Sequence, residues 1–298
     1  MSETLSQFSE GLAGAVATAG VGVVRVDARR RMPASGLVWS ADGLIVTSNH
    51  VVRADSGIQV GLADGRSVSA TLVGRDPTTD LAVLRAAAGD LPLLGRVDSA
   101  DLRVGHFVLA LGRPGKSIQA TLGIISALGE SWRTGGGGVI DRYLQTDVVM
   151  YPGFSGGPLV DVNGRVVGLN SSALARGVSV SIPMGTLNRV VGSLVSDGKV
   201  KRGYLGISTQ AVRLPQALQD ELGQETGLLI VSVEAGSPAD ESGLVLGDTI
   251  VQFANQAVRS HDDLISLLTG DRVGKSAPAQ ILRGGALQLV DVLIGERD

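Results

Sequence analysis

The segment Tyr151-Pro152-Gly153-Phe154-Ser155-Gly156-Gly157-Pro158-Leu159 sets one serine between glycines in a stretch flanked by prolines. Glycine lets backbone approach a reacting carbonyl. A serine hydroxyl is a weak nucleophile, so it needs a base beside it, usually a histidine oriented by a carboxylate, and N–H donors for the oxyanion. The chain has three histidines. His50 closes the run Leu44-Ile45-Val46-Thr47-Ser48-Asn49-His50-Val51-Val52, a polar ring embedded in apolar sequence, whereas His106 stands at a turn and His261 among Ser and Asp at a helix start. His50 is therefore the candidate base, and the other two read as solvated surface residues. Between His50 and Ser155, Asp76, Asp80 and Asp101 are the candidate carboxylates.

Two arrangements of such residues compete. Gly153-Phe154-Ser155-Gly156-Gly157 fits G-x-S-x-G, a strand–serine–helix elbow that needs its acid and histidine downstream. Here Pro158 follows at once, Leu159 to Val167 read as a hairpin through Asn163-Gly164, and the only downstream histidine is the distant His261. The order His, Asp, Ser on a β-barrel scaffold fits instead.

The surrounding pattern supplies that scaffold. From about Val21 to Ile182, strand-length apolar runs alternate with turns such as Ala41-Asp42-Gly43, Ala63-Asp64-Gly65 and Asn163-Gly164, where Asn or Asp before Gly suits the positive φ angles of tight hairpins. This argues a mainly β barrel or sandwich. Leu187, Val190, Val191, Leu194 and Val195 change the period to that of an amphipathic helix, which Gly198 closes as a linker. Beyond it, strands mix with a helix opening at Ser260-x-x-Asp263, and Gly284-Gly285 reads as a two-residue hairpin turn. Gly135 to Gly138 reads as a flexible loop.

Composition bounds the remaining choices. The 298 residues carry a net charge of −3, so neither nucleic acid nor an anionic membrane is expected as main partner, and the triple Arg29–Arg31 reads as an exposed loop. There is no cysteine, which excludes disulfides, thiolate nucleophiles and Cys-based metal sites. His and acidic residues show no metal-ligand spacing, and no cofactor is expected. The two Gly-Lys-Ser triplets lack the first P-loop glycine. No transmembrane segment is expected, because Gly11 to Val24 is too short and too rich in Gly and Ala. The compartment stays open: cytoplasmic if Met1 is the native start, extracytoplasmic if a leader was removed.

Together, Thr47-Ser48-Asn49-His50-Val51-Val52, Asp76-Pro77-Thr78-Thr79-Asp80-Leu81-Ala82-Val83-Leu84, Gln145-Thr146-Asp147 and Gly153-Phe154-Ser155-Gly156-Gly157-Pro158 resemble the HtrA/Deg family of trypsin-fold serine proteases. Arg202-Gly203-Tyr204-Leu205-Gly206-Ile207, with Gly236-Ser237-Pro238-Ala239 and Gly247-Asp248, resembles a single PDZ domain. The resemblance implies a trypsin-like double six-stranded β-barrel followed by a small α+β PDZ domain. Its divisions are an N-terminal segment over 1–20, the protease domain over 21–185, a linker helix over 186–202 and the PDZ domain over 203–298.

It further implies His50, Asp80 and Ser155 as a catalytic triad and the N–H groups of Gly153 and Ser155 as the oxyanion hole. Leu169, Asn170, Ser171 and Ala173 would wall the primary substrate pocket. Tyr204, Leu205, Gly206 and Ile207 would receive a peptide C-terminus by strand addition. The substrates would be unfolded or misfolded polypeptides, and the assembly a homotrimer with Phe8 near a contact. Two departures stand out. Phe154 replaces the family's usual Asn, either as a surface substitution or as a residue that turns the Gly153 N–H away, which would leave a peptide-binding scaffold. Glu130, with Arg133 three residues on, stands where a basic sensor is common.

Overall fold

A computed structural model describes residues 2–30, 32–54, 56–175, 177–268 and 270–296, so Arg31 of the arginine cluster lies outside the described residues. The chain divides into two units, 1–200 and 201–298.

In the first unit the turn residues set the strand ends. At Asp42-Gly43, Asp64-Gly65 and Asn163-Gly164 only the glycine has a positive φ, at 100°, 92° and 74°. Each glycine N–H bonds the carbonyl three residues back, on Ser40, Leu62 and Asp161. These are thus turns ending on a left-handed glycine rather than hairpin turns with two positive φ angles.

Between the turns run β1 (Val23–Asp27), β2 (Ala34–Val38), β3 (Leu44–Ser48), β4 (Ile58–Gly61), β5 (Ser67–Asp76) and β6 (Leu81–Ala86), which close a barrel in the order β1-β2-β3-β6-β5-β4. Then come β7 (Phe107–Gly112), β8 (Gln119–Gly129), β9 (Trp132–Arg133), β10 (Val139–Ile140), β11 (Tyr143–Thr146), β12 (Pro158–Asp161), β13 (Val166–Ser171) and β14 (Ser179–Pro183). A second barrel closes in the order β11-β14-β13-β12-β7-β8, with β9 and β10 forming a separate hairpin. Every strand is antiparallel to its neighbours within these barrels.

β3 reads as one continuous buried run because both its faces are covered. Ile45 points into the first barrel's core with Val24, Val60 and Leu84. Leu44 and Val46 join a second cluster shared with Leu109, Leu111 and Val160 of the other barrel.

Two helices complete this unit. The residues expected as an N-terminal segment form α1 (Ser2–Gly20), whose Ala15 and Ala19 are buried in the shared cluster. Small residues there let the helix backbone come close. Its last carbonyl, Gly20 O, accepts from Arg113 Nη2 at 2.8 Å. The expected linker helix is α2 (Met184–Asp197), built into the same unit by Leu187, Val190, Val191 and Leu194. Gly198 ends it at φ 72°, its N–H on Leu194 O.

The second unit holds β15 (Gly203–Tyr204), β16 (Ile207–Arg213), α3 (Gln216–Leu222), β17 (Thr226–Val233), α4 (Pro238–Glu241), β18 (Thr249–Phe253), β19 (Gln256–Ala257), α5 (His261–Leu267), β20 (Ser276–Arg283), β21 (Ala286–Leu293) and β22 (Gly295–Glu296). The sheet runs β16-β17-β18-β20-β21 around Leu228, Ile250, Phe253 and Ile281. Ser260 and Asp263 form a capping box on α5, and Gly284-Gly285 turns β20 into β21 with φ of 58° and 84°. This α+β module follows the double barrel as the fold class expected. Among the described residues no helix is long and apolar enough to cross a membrane.

Candidate active site

Strand pairing brings the histidine and its carboxylate together. β3 lies antiparallel to β6 with Ser48 opposite Leu81, so the residues just after 48 and just before 81 meet at one end of the barrel. A short 3₁₀ turn over Asn49–Val51 carries His50, and Asn49 N–H bonds Asp80 O at 3.0 Å. Asp80 has φ of 59°, an uncommon left-handed conformation for a side-chain-bearing residue, and its carboxylate is buried.

His50 Nδ1 lies 2.9 Å from Asp80 Oδ2 and 3.0 Å from Oδ1, and His50 N–H donates to Oδ1 at 2.9 Å. A carboxylate only accepts, so Nδ1 carries a proton, and in the neutral ring Nε2 is the nitrogen with the lone pair. Asp76 and Asp101 are elsewhere. The Asp76 carboxylate accepts from Thr78 N–H, Thr78 Oγ1 and Thr79 Oγ1, and Asp101 is exposed in a 3₁₀ turn.

Ser155 sits on the turn before β12, and its hydroxyl contacts at 3.0 Å the Oγ of Ser172, the residue after Ser171, whose own Oγ donates to Asp80. That turn is held from below by its neighbours. Phe154, read from sequence as a surface substitution or a disruptor, is fully buried among Val108, Ala110, Leu144 and Leu159 in the second barrel's core. It meets Tyr151 edge-on at 5.8 Å between centroids. A Cβ on Gly112 would come within 2.6 Å of the Phe154 ring, so the strand opposite gives way to it with a glycine. Phe154 thereby anchors the turn instead of lying on the surface.

Ser35 on β2 of the first barrel grips the same turn, and nothing local in the sequence marked it. Its N–H donates to Ser155 O at 3.2 Å, and its Oγ donates to Gly153 O at 2.7 Å while accepting from Arg113 N–H at 2.7 Å. Gly153 has φ of 92°, and a Cβ there would meet Pro114 at 2.6 Å. Among the described residues neither the Gly153 nor the Ser155 N–H has a hydrogen-bond partner, so both are free to donate.

The residues expected to wall the substrate pocket divide. Leu169 and Asn170 are fully buried, with Asn170 Nδ2 on Pro158 O. Ser171 turns inward and its Oγ donates to Asp80 Oδ2 at 2.5 Å, making it a partner of the carboxylate. Ala173 alone of the four lines the open cleft of about 360 Å³ beside His50 and Asp80, with Thr78, Thr134 and Gly136 opposite. The four-glycine stretch is no free loop. It is the tip of the β9–β10 hairpin, and Thr134 Oγ1 donates to Thr78 O at 2.6 Å. Among the described residues there is no His, Asp and Glu cluster that would hold a metal.

In the second unit Tyr204 lies in the short β15–β22 ladder and Ile207 starts β16. Between them Leu205 is buried, its carbonyl taken by Ala239 N–H, and Gly206 has φ of 79° with its carbonyl on Glu234 N–H. His261, exposed at the start of α5, has Nδ1 3.0 Å from Thr209 Oγ1 on β16.

Residues 34–169 match the family model of a trypsin-like peptidase domain and residues 203–294 that of a PDZ domain. The solved HtrA-type protease AlgW with decapeptide is similar over 96% of this chain and 99% of its own, with TM-score 0.79 and 30% identity. The chain belongs to the HtrA/Deg family. The serine endoprotease from Yersinia pestis is another structural neighbour, with TM-score 0.78 and 33% identity over 96% of this chain and 98% of its own. The probable periplasmic DegP-like serine endoprotease of Pseudomonas putida (strain W619) is 40% identical over 88% of this chain. That of Hahella chejuensis (strain KCTC 2396) is 39% identical over 90%. This HtrA-family chain spans only 55% and 59% of those two relatives' own lengths.

Proposed function

We propose that this HtrA-family protein is a serine endopeptidase acting on unfolded polypeptide. The observation that carries the reading is the Asp80 carboxylate on His50 Nδ1, in the lining of an open cleft. In this reading Ser155 Oγ attacks the scissile carbonyl carbon as His50 Nε2 takes its proton. The oxyanion accepts from the N–H groups of Gly153 and Ser155, each worth about 10²- to 10³-fold in rate. His50 then gives the proton to the leaving amine, the C–N bond breaks and an acyl-enzyme remains. Water, deprotonated by His50, attacks the ester and releases Ser155. Asp80, held by Ser171, keeps Nδ1 as donor and stabilises the imidazolium.

The second unit would bind a peptide C-terminus as an added strand at Tyr204 to Ile207. The HtrA-type neighbour solved with a decapeptide supports a peptide ligand. The exposed Phe8, its ring 5.4 Å from exposed Phe107, is a contact suited to a homotrimer. The names of the relatives support an extracytoplasmic site.

The test is cleavage of casein by the wild type and by Ser155→Ala, with and without peptides bearing free apolar C-termini. Loss of cleavage in the variant and stimulation by peptide are the expected results. Equal cleavage by Ser155→Ala would remove Ser155 from the mechanism.

A further inference from the structure

Among the described residues the hydroxyl of Ser155 has two hydrogen-bond partners, and both belong to Ser172. Oγ to Oγ is 3.0 Å, and the Ser172 N–H lies 3.4 Å from Ser155 Oγ. Among the described residues Ser155 makes no hydrogen bond to His50, although Asp80 already orients that ring with Nε2 free. Ser172 is exposed and is the first residue beyond β13. Its backbone is fixed on both sides, since Ser171 Oγ donates to Asp80 and also accepts from Ala173 N–H at 3.1 Å.

We propose that Ser172 is a positioning residue that holds the resting nucleophile away from its base. This rests on the reading of Ser155 as the nucleophile. Held at Ser172 and without a hydrogen bond to His50 Nε2, the hydroxyl is not placed to pass its proton to that nitrogen, so attack waits until the contact is given up. The N–H of Ser172 is the feature that couples release to substrate. It lies on exposed backbone just beyond β13, where an extended polypeptide pairing with this segment would draw that N–H to its own carbonyl. Loss of one of its two partners loosens Ser155 Oγ and lets it rotate to His50. The nucleophile is thereby armed by an extended chain and not by a small electrophile.

A small fluorophosphonate tests this, because it reaches Ser155 without covering the strand edge. In labelling, an Oγ–P bond forms, the P–F bond breaks, His50 Nε2 takes the proton and fluoride leaves. A net hydrogen bond of about 0.5–1.5 kcal/mol corresponds to about 2- to 10-fold in rate. Ser172→Ala is expected to label that much faster than wild type, with a smaller gain in kcat/KM on an extended peptide. Ser172→Thr keeps the hydroxyl and should label at the wild-type rate. Ser172→Gly provides a second deletion should the alanine variant fold poorly.

Equal or slower labelling of the folded deletion variants overturns the proposal, as does peptide turnover that rises in step with labelling. Those outcomes leave the nucleophile intact. Absence of label on Ser155 in every form, wild type included, overturns the protease reading and this proposal with it.

Discussion

Ser35 Oγ donates to the Gly153 carbonyl at 2.7 Å, tying β2 of the first barrel to the turn of the second that carries Ser155. The same oxygen accepts from Arg113 N–H, so its removal leaves a buried donor and a buried acceptor without partners. Ser35→Ala should lower stability by about 1–3 kcal/mol. It should also lower kcat up to about 10²-fold, because in the proposed mechanism the Gly153 N–H faces the oxyanion. Urea unfolding and peptide turnover on the same variant separate the two effects, and a stability loss with unchanged kcat would leave Ser35 a purely structural residue.

Among the described residues Asp80 has one side-chain partner besides His50, namely the Ser171 hydroxyl. Ser171→Ala removes a hydrogen bond to a charged acceptor, a contact worth about 1.5–3 kcal/mol. Since that bond orients the carboxylate and not the substrate, kcat should fall about 10-fold while KM stays near its wild-type value. A rise in KM at constant kcat would return Ser171 to the wall of the substrate pocket.

Phe154 gives a test with the opposite sign from the one its sequence context suggests. Phe154→Asn restores the residue usual in the family, yet here it would leave a cavity and an unpartnered amide in the core of the second barrel. The variant should lose about 3 kcal/mol or more of stability. Phe154→Leu should lose less, since apolar filling is kept. An asparagine variant as stable as wild type in urea would show that the turn re-packs freely around this position.

These cases separate what local pattern reveals from what it hides. His50, Asp80 and Ser155 stand out because few residue types could do the proposed chemistry, and the β3–β6 register that unites His50 with Asp80 follows from an apolar run. Ser35 and Ser171 are small polar residues in strands, and their partners lie 118 and 91 positions away, so no spacing rule points to them. Phe154 sits among Gly and Pro, which mark a surface turn, while its burial depends on a glycine at 112 in another strand. Helix α2 shows in its 3.6-residue period, whereas α1 is masked by Gly11 and Gly14, each about 1 kcal/mol unfavourable inside a helix. It is held by packing of Ala15 and Ala19, which a periodicity of large apolar residues does not reveal.

The second unit carries a pH-dependent contact that is independent of catalysis. Asp248 is buried, which alone would raise its pKa, but two bonds at 2.7 Å from Arg283 and one from Val245 N–H outweigh burial and hold the carboxyl below its usual range. A depressed pKa stabilises the fold above the unfolded-state value of about 3.9 and loses that contribution as pH falls through the folded-state value. Calorimetry of the whole chain should therefore show the transition of this unit dropping as pH falls below about 4. Asp248→Asn should lower that transition at neutral pH and flatten its acid dependence. An unchanged acid slope in the variant would assign the dependence to other carboxylates.

The β9–β10 hairpin presses on the turn that presents Asp80. A Cβ on Gly138 would lie 2.6 Å from the carbonyl carbon and oxygen of Thr78, two residues before Asp80, so even alanine must push the hairpin or the turn aside. Thr134 Oγ1 holds the contact from the other side at 2.6 Å from Thr78 O. Asp80 is held at φ of 59°, a conformation that survives only where its surroundings enforce it. Gly138→Ala and Thr134→Val should both lower kcat, the alanine more because it moves backbone, at a stability loss of about 1–2 kcal/mol for the valine. The local readout is the imidazole Nδ1 proton resonance of His50, which reports its bond to Asp80. A shift of that resonance together with the fall in kcat would show the hairpin acting through the carboxylate, whereas a fall in kcat with the resonance unmoved would assign the effect to the cleft wall at Gly136.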